Sequence, residues 1–278
     1  MAGAVLASSI SGSLDAKNLV LDVLTRQIEL SNLAELALPV PVPELEATVP
    51  IYIPGKADMD LGEWETTGIN GGVFKSVKFS LKKDRVKLGV STEAKYKSKK
   101  GDPLAIQKAT NAEVLAEALD YRIAKALEVN PQTGAAGAKW STVTNNPLID
   151  LAKAVRHVKR ADYVIMHGDV WTAFVGNDYT SKYVVGNPEK LKGVMTTIPG
   201  LELKVYVSDD ITAKSCIIGR SSAPSVAIGN GPVEVAEEQI DTSGRVYQID
   251  VFRQAVAPII PTDDGKNKGA YQLTGVIA

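Results

Sequence analysis

The chain is poor in the residues that usually perform chemistry. It has one cysteine, Cys216, and two histidines, His157 and His167, in 278 residues. One thiol forms no internal disulfide and frames no structural zinc site. Cys216 lies in the apolar stretch Ser215-Cys216-Ile217-Ile218 and reads as a small buried hydrophobe. Histidine is the usual general base and the commonest metal ligand. Neither histidine here has a Cys, Glu or His at ligand spacing, so both are expected in packing or surface roles. No cofactor and no metal site is expected.

Other signals are missing too. No apolar run approaches the ~20 residues of a membrane-spanning helix, so no membrane partner is expected. The first 13 residues are rich in Ala, Gly and Ser but carry no basic segment. They read as a flexible tail rather than a signal peptide, and the chain is expected to stay in the cytoplasm that makes it. Charge of one sign is also absent: Lys plus Arg total 31, Asp plus Glu 32, and the net charge is -1. A protein that condenses DNA unaided carries a basic excess, so that role is excluded. There is no G-x-x-x-x-G-K-[ST] phosphate cradle, no G-x-G-x-x-G opening a helix and no G-x-S-x-G elbow. Gly134-Ala135-Ala136-Gly137 and Gly229-Asn230-Gly231 read as turns. Asp209-Asp210 and Asp263-Asp264 read as loop and capping carboxylates, since adjacent residues do not aim at one reacting atom.

What is present is architecture. Residues 14 to 37 predict a helix capped by Asp15, with Leu19, Val23, Leu24 and Ile28 on one face. Pro39-Val40-Pro41-Val42-Pro43 follows and predicts a stiff extended strap without ladder donors. Over 49 to 92 the strongest β pattern appears. Val77, Phe79 and Leu81 alternate with Lys78, Ser80 and Lys82, then Lys82-Lys83-Asp84-Arg85 reads as a turn, then Val86, Leu88 and Val90 alternate again. Two such runs predict a hairpin. Asp102-Pro103 is a cap followed by a first-turn proline. It opens a helix to about Val129, striped by Leu115, Leu119, Ile123 and Ala126 and stopped by Asn130-Pro131. At ~1.5 Å per residue that beam is about 40 Å long. A Gly/Ala/Asn-rich connection over 131 to 146, anchored at Trp140, leads to Asn146-Pro147 and a second capped helix. Strands are expected at Tyr163 to Met166, Leu203 to Val207, Cys216 to Ile218 and Val226 to Ile228, with a short helix near Asp169 between the first two. Val233-Glu234-Val235, Arg245 to Ile260 and Tyr271 to Ile277 read as later strands, and Lys266 to Lys268 as a polar turn.

Lysines 75, 78, 82, 83, 87, 95, 97, 99 and 100 crowd one region, just after Asp58, Asp60, Glu63 and Glu65. A solvated face explains them, and so does a nucleic-acid patch. With the total charge near zero, pairing of acidic and basic segments between neighbouring copies is favoured over nucleic acid. A hairpin alone is marginal in water. The hairpin and the leading helix are expected to need a neighbouring subunit to cover their apolar faces, generating heterologous contacts that close into rings.

The order of elements resembles the major capsid proteins of tailed bacteriophages and archaeal viruses, the fold named after bacteriophage Hong Kong 97. The stretches that carry the resemblance are Gly62-Glu63-Trp64, Phe74 to Phe79, Lys87 to Ser91, Leu115 to Leu127 with Asp120 inside, and Ile249 to Pro258. The resemblance implies an α+β fold with five segments. These are an N-terminal arm (1–48), an extended β-hairpin loop (49–93), a peripheral domain with the spine helix (94–146), an axial domain (147–230), and peripheral C-terminal strands (231–278). It implies a non-enzymatic subunit of hexamers and pentamers in an icosahedral shell around double-stranded DNA, assembled in the host cytoplasm and found in the virion. Scaffolding, portal and decoration proteins are the implied partners. The short arm suggests a separate scaffolding protein or none. Expected subunit-contact residues are Glu63, Trp64, Glu65, Lys75, Lys78, Phe79, Lys82 and Arg85. The rival with the same fold is an encapsulin-type compartment shell. A rival of another class is a two-domain α/β enzyme with its catalytic part in 147–230.

Overall fold

Proline and its neighbours set the boundaries of the longest element. The computed structural model describes residues 14–53, 73–91, 103–142, 144–158, 160–184, 197–198, 200–221, 225–240, 244–257 and 266–278. Helix α1 spans Leu14–Leu30, followed by a 3-10 turn at Ala34–Leu36. Strands β1 (Ala37–Pro41), β2 (Glu46–Ile53), β3 (Val73–Ser80) and β4 (Lys82–Ser91) come next. The spine helix α2 runs Pro103–Leu127. Its stop is clean: Asn130 takes φ +50, a left-handed conformation that ends the helical trace, and Pro131 opens β5 (Pro131–Ala135). Then follow α3 (Pro147–Val155), β6 (Tyr163–Met166), α4 (Gly168–Gly176), α5 (Asp178–Val184), β7 (Lys204–Val207), β8 (Cys216–Gly219), β9 (Val226–Ile240), β10 (Gly244–Val256) and β11 (Asn267–Thr274). The expected cap of α3 is in place: the Asn146 side chain accepts from the Leu148 N–H at 3.0 Å.

Three sheets organise the chain. A four-stranded sheet has the order β1-β9-β10-β4, a five-stranded sheet β5-β11-β8-β6-β7, and β2 pairs with β3 alone. The five-stranded sheet is buried on both faces. Val164 and Met166 point to Leu151, Phe174 and Trp140 under α3 and α4. Tyr163 and Ile165 point the other way, to Leu119, Ile123 and Leu127 of the spine helix. The expected stripe of α2 is thus its buried face. The other sheet carries α1: Leu19, Val20, Val23 and Leu24 pack with Val86, Leu88, Ile249, Val251 and Leu115.

Several expectations change. The strap is a strand: Ala37 to Pro41 pairs in parallel with Val226 to Asn230. Its prolines fit because β1 is an edge, where missing donors cost least. Lys82 to Arg85 is not a turn either, since these residues pair with Arg253 to Asp250 in the β4–β10 ladder. Four charged residues in a row suggested solvent, but the side chains of Lys83, Asp84 and Arg85 find partners within the chain. The hairpin therefore forms between β2 and β3, with Val49 opposite Val77 and Ala47 opposite Phe79. Leu81 is the joint at which the chain passes from that hairpin to β4.

One glycine stretch and half of the other are also strand, while Ala136-Gly137 stays outside β5, entering a bend. Gly134 lies in β5, and Gly229 to Gly231 lies inside the continuous β9. At Gly229 an added Cβ would stand 2.5 Å from Phe79 Cδ1, so the ring requires bare backbone there. Asn267, expected in a turn, is buried in β11 and donates through Nδ2 to the Ser225 carbonyl at 3.0 Å. The sheets also cross the expected domain borders. β11 and β5 belong with β8, β6 and β7, although the sequence reading set them apart from the 147–230 block.

Candidate subunit-interaction surface

The β2–β3 hairpin has two unlike faces. Val77 and Phe79 turn inward, onto Val40, Val42 and Ala227. Ser76, Lys78 and Ser80 turn outward. Phe74, nearer the far end of the hairpin, is 69% exposed. Lys78 reaches Glu46 on the paired strand at 3.8 Å, both side chains being solvated. An ion pair of that kind contributes little to folding and stays available to another chain.

β4 begins with a charged segment that binds inward. Arg85 grips Asp250 through Nε and Nη2 at 2.7 and 2.9 Å, and Lys83 adds an ion pair at 3.2 Å. The guanidinium, and after it the ammonium, hold the Asp250 carboxyl below the usual carboxylate range. Lys83 also stands over the Phe252 ring, 5.2 Å from its centroid. Asp84 receives Arg122 of the spine helix on both oxygens. Lys82 and Lys87 remain exposed.

The sheet edge at β4 is closed by the spine helix. Gln107 Nε2 donates to the Gly89 carbonyl and its Oε1 accepts from the Gly89 N–H, both at 2.8 Å. Asn111 Nδ2 donates to the Lys87 carbonyl at 2.9 Å. Side chains one turn apart on α2 thus stand where a further strand would pair, which blunts edge-to-edge association. The spine helix also shows Ile106, Val114 and Tyr121 to solvent. Their spacing of eight and seven residues places them on one outward stripe.

The expected contact residues divide accordingly. Lys78 and Lys82 lie on the surface. Lys75 lies in β3. Arg85 is half-exposed but committed to Asp250. Phe79 departs from its expected role: it is fully buried in its own subunit, because Gly229 gives the ring room. Glu63, Trp64 and Glu65 lie outside the described residues, as do the first 13 residues, Asp58, Asp60, Lys95 to Lys100 and Asp263-Asp264. The expectation that the arm and strands need a neighbour for their apolar faces is overturned for α1, β4 and the root of β3. Leu19, Val20, Val23, Leu24, Val77, Phe79, Val86 and Leu88 are all buried without a second chain.

The groups considered for chemistry have structural roles. Cys216 is fully buried, and burial pushes its thiol far up. His157 stacks on Tyr271 with centroids 4.5 Å apart. His167 accepts the Asp169 N–H through Nδ1 at the start of α4, and Asp209 accepts the Gly168 N–H at 3.0 Å. Among the described residues, no group of three His, Cys, Asp or Glu is placed to hold a metal ion.

Two anchors were not foreseen. Asp120 accepts from the Ser31 hydroxyl and from the N–H groups of Asn32 and Leu33, tying the end of α1 to the spine. A carboxylate beside the apolar residue Leu119 was the available signal. Glu35 accepts from Lys204 and Tyr206, which lowers its pKa, mainly through Lys204. Burial, and then Glu35, push Tyr206 up to about 12. No sequence signal linked residues so far apart.

No family model matches the chain, and no curated protein does. Solved structures do. The virus-like particle from Pyrococcus furiosus is 11% identical with a TM-score of 0.59, over 94% of this chain and 100% of that one. The capsid of the native GTA particle is 11% identical with a TM-score of 0.60, over 88% and 89%. The holo-SrpI encapsulin complex from Synechococcus elongatus PCC 7942 is 12% identical with a TM-score of 0.56, over 88% and 87%. At such identities the likeness is one of fold, and it extends over nearly the whole of each chain: this protein has the α+β fold of the Hong Kong 97-type capsid proteins.

Proposed function

We propose that this chain is a non-enzymatic major capsid protein whose copies assemble as hexamers and pentamers into a closed icosahedral shell around double-stranded DNA. The observation that carries the reading is the likeness of the whole chain, in one order of elements, to subunits of closed particles. In this reading 1–48 is the arm, 49–93 the extended loop, 94–146 and 231–278 the peripheral domain, and 147–230 the axial domain. Lys75, Lys78 and Lys82 meet acidic residues of neighbours, Glu63 and Glu65 among them, with Trp64 beside them. The half-exposed Arg85 adds its charge at the rim. Scaffolding, portal and decoration proteins complete the particle, which is the virion head assembled in host cytoplasm. The net charge of -1 suits a shell that encloses DNA without condensing it.

A second reading is an encapsulin-type compartment, favoured by the match to the holo-SrpI encapsulin over 88% of the chain. Electron microscopy of the purified full chain tests the shared claim: closed particles, rings or tubes are expected, and a protein that stays monomeric under every assembly condition contradicts it. Nuclease-protected DNA inside particles from the native source supports the capsid reading. A protein passenger in place of DNA supports the compartment.

A further inference from the structure

At one corner of the five-stranded sheet the end of α3 meets the start of β11. Gln132 of β5 joins them: its Nε2 donates to the Asn267 carbonyl at 3.3 Å and reaches the His157 carbonyl at 3.5 Å. Cations gather at this corner, although the net charge of the whole chain is -1. Residues 153–160 hold four cations and no carboxylate. Arg156, Arg160, Lys266 and Lys268 are all exposed, with Asn267 buried between the two lysines. Among the described residues no carboxylate forms an ion pair with Arg156, Arg160 or Lys268.

A second, independent feature lies among these charges. The His157 ring is laid on the Tyr271 ring, with 4.5 Å between centroids and 8° between planes. Tyr271 is buried, and an added Cβ at Gly134 would strike its hydroxyl, so bare backbone seats that ring. His157 itself is exposed. Tyr271 covers one face of the imidazole, which leaves the opposite face and the edges to solvent. The result is a flat π surface backed by a buried ring and rimmed by guanidinium and ammonium groups.

Ordinary roles explain part of this. Cations suit the last turn of a helix, which accounts for Arg156. That does not account for two lysines flanking a buried strand residue, or for a ring laid flat to water. Cations neutralise the phosphates of a nucleic-acid backbone. A flat ring stacks with any unpaired base.

We propose that this corner binds single-stranded nucleic acid, with phosphates on Arg156, Arg160, Lys266 and Lys268 and one unpaired base on the open face of His157. An acidic protein segment would use the cations but not the ring, and a duplex keeps its bases stacked on one another. The ring therefore selects the occupant. Binding needs one subunit only, so it is a separate outcome from particle formation.

The test uses the full-length chain before particles form, as followed by light scattering. The probe is a fluorescein-labelled oligo(dT) of about twelve nucleotides, within the range of single-strand sites. Anisotropy at low salt should show it binding at least fivefold more tightly than a duplex of the same length or polyglutamate. Plotted as log K against log salt, affinity should fall with a slope of about -3 for four phosphates. Arg156→Gln with Lys268→Gln should bring the slope to about -1.5. His157→Ala should weaken binding at least fivefold, and His157→Tyr, which keeps a flat ring, should restore it. Circular dichroism verifies each fold, and if the double variant does not fold, the two His157 variants carry the test. Absent binding of oligo(dT) overturns the proposal, as does equal or tighter binding of duplex or polyglutamate. Unchanged affinity in folded His157→Ala, or a loss in His157→Tyr as large as in His157→Ala, overturns it too.

Discussion

Arg85 and Asp250 face each other across the β4–β10 ladder and are joined by two parallel hydrogen bonds. The carboxylate is buried while the guanidinium stem is half in water. Asp250→Asn keeps the shape and removes the charge, so a loss of about 2 kcal/mol is expected from hydrogen bonds of charged groups. The pH dependence has a definite sign. Asp250 is held below its ordinary value, so its contribution is complete above about pH 4 and disappears as pH falls through the lower folded pKa. Urea unfolding between pH 5 and pH 2 should therefore show a shallower acid decline for Asp250→Asn than for the parent. Equal slopes would refute this.

Gly229 and Phe79 fit as backbone and ring. Gly229→Ala places a Cβ 2.5 Å from the ring and should cost roughly 1–3 kcal/mol as overpacking. Adding Phe79→Leu should recover part of that loss. A double-mutant cycle with no coupling would contradict the fit.

Asp120 holds three donors at the end of α1. Asp120→Ala leaves two backbone N–H groups without their acceptor and should cost on the order of 3 kcal/mol. Amide exchange at Leu33 should accelerate more than at residues of β6. Uniform acceleration would mean that the carboxylate is no local anchor.

Lys78 and Lys82 are exposed and stand away from the cores. Lys78→Glu with Lys82→Glu should change stability by no more than about 0.5 kcal/mol. Assembly, followed by light scattering, should slow at low salt and differ less from the parent at high salt, where screening shortens the reach of charge. Unaltered assembly would remove both lysines from the contact.

Local signals read well from the sequence. Pro103 and Asn146-Pro147 mark helices because a donor-free first residue and, at Asn146, a side-chain cap act within one turn; Asp102 lies outside the described residues. Tyr163 to Met166 reads as a strand, and the structure bounds β6 at the same residues. Strand partners did not read, because pairing depends on residues far away in the chain. Lys82 to Arg85 looks like solvent until Asp250, Arg122 and Phe252 arrive from over a hundred residues away or nearly forty. Gly229 to Gly231 looks like a turn until Phe79 and Leu81 press on its backbone. The proline strap looks unpairable until an edge position makes its missing donors harmless. The lysine-rich surface was legible as composition, but which lysines bind inward was not, since that is decided by the same distant partners.

Strands β9 and β10 form the middle of the four-stranded sheet, and β11 joins β5 to the rest of the five-stranded one. All three come from residues 226–274. Neither large sheet closes without that stretch, so folding depends on pairings between distant parts of the chain. The topology thus makes both large sheets depend on one stretch of sequence, so damage there unmakes two cores at once.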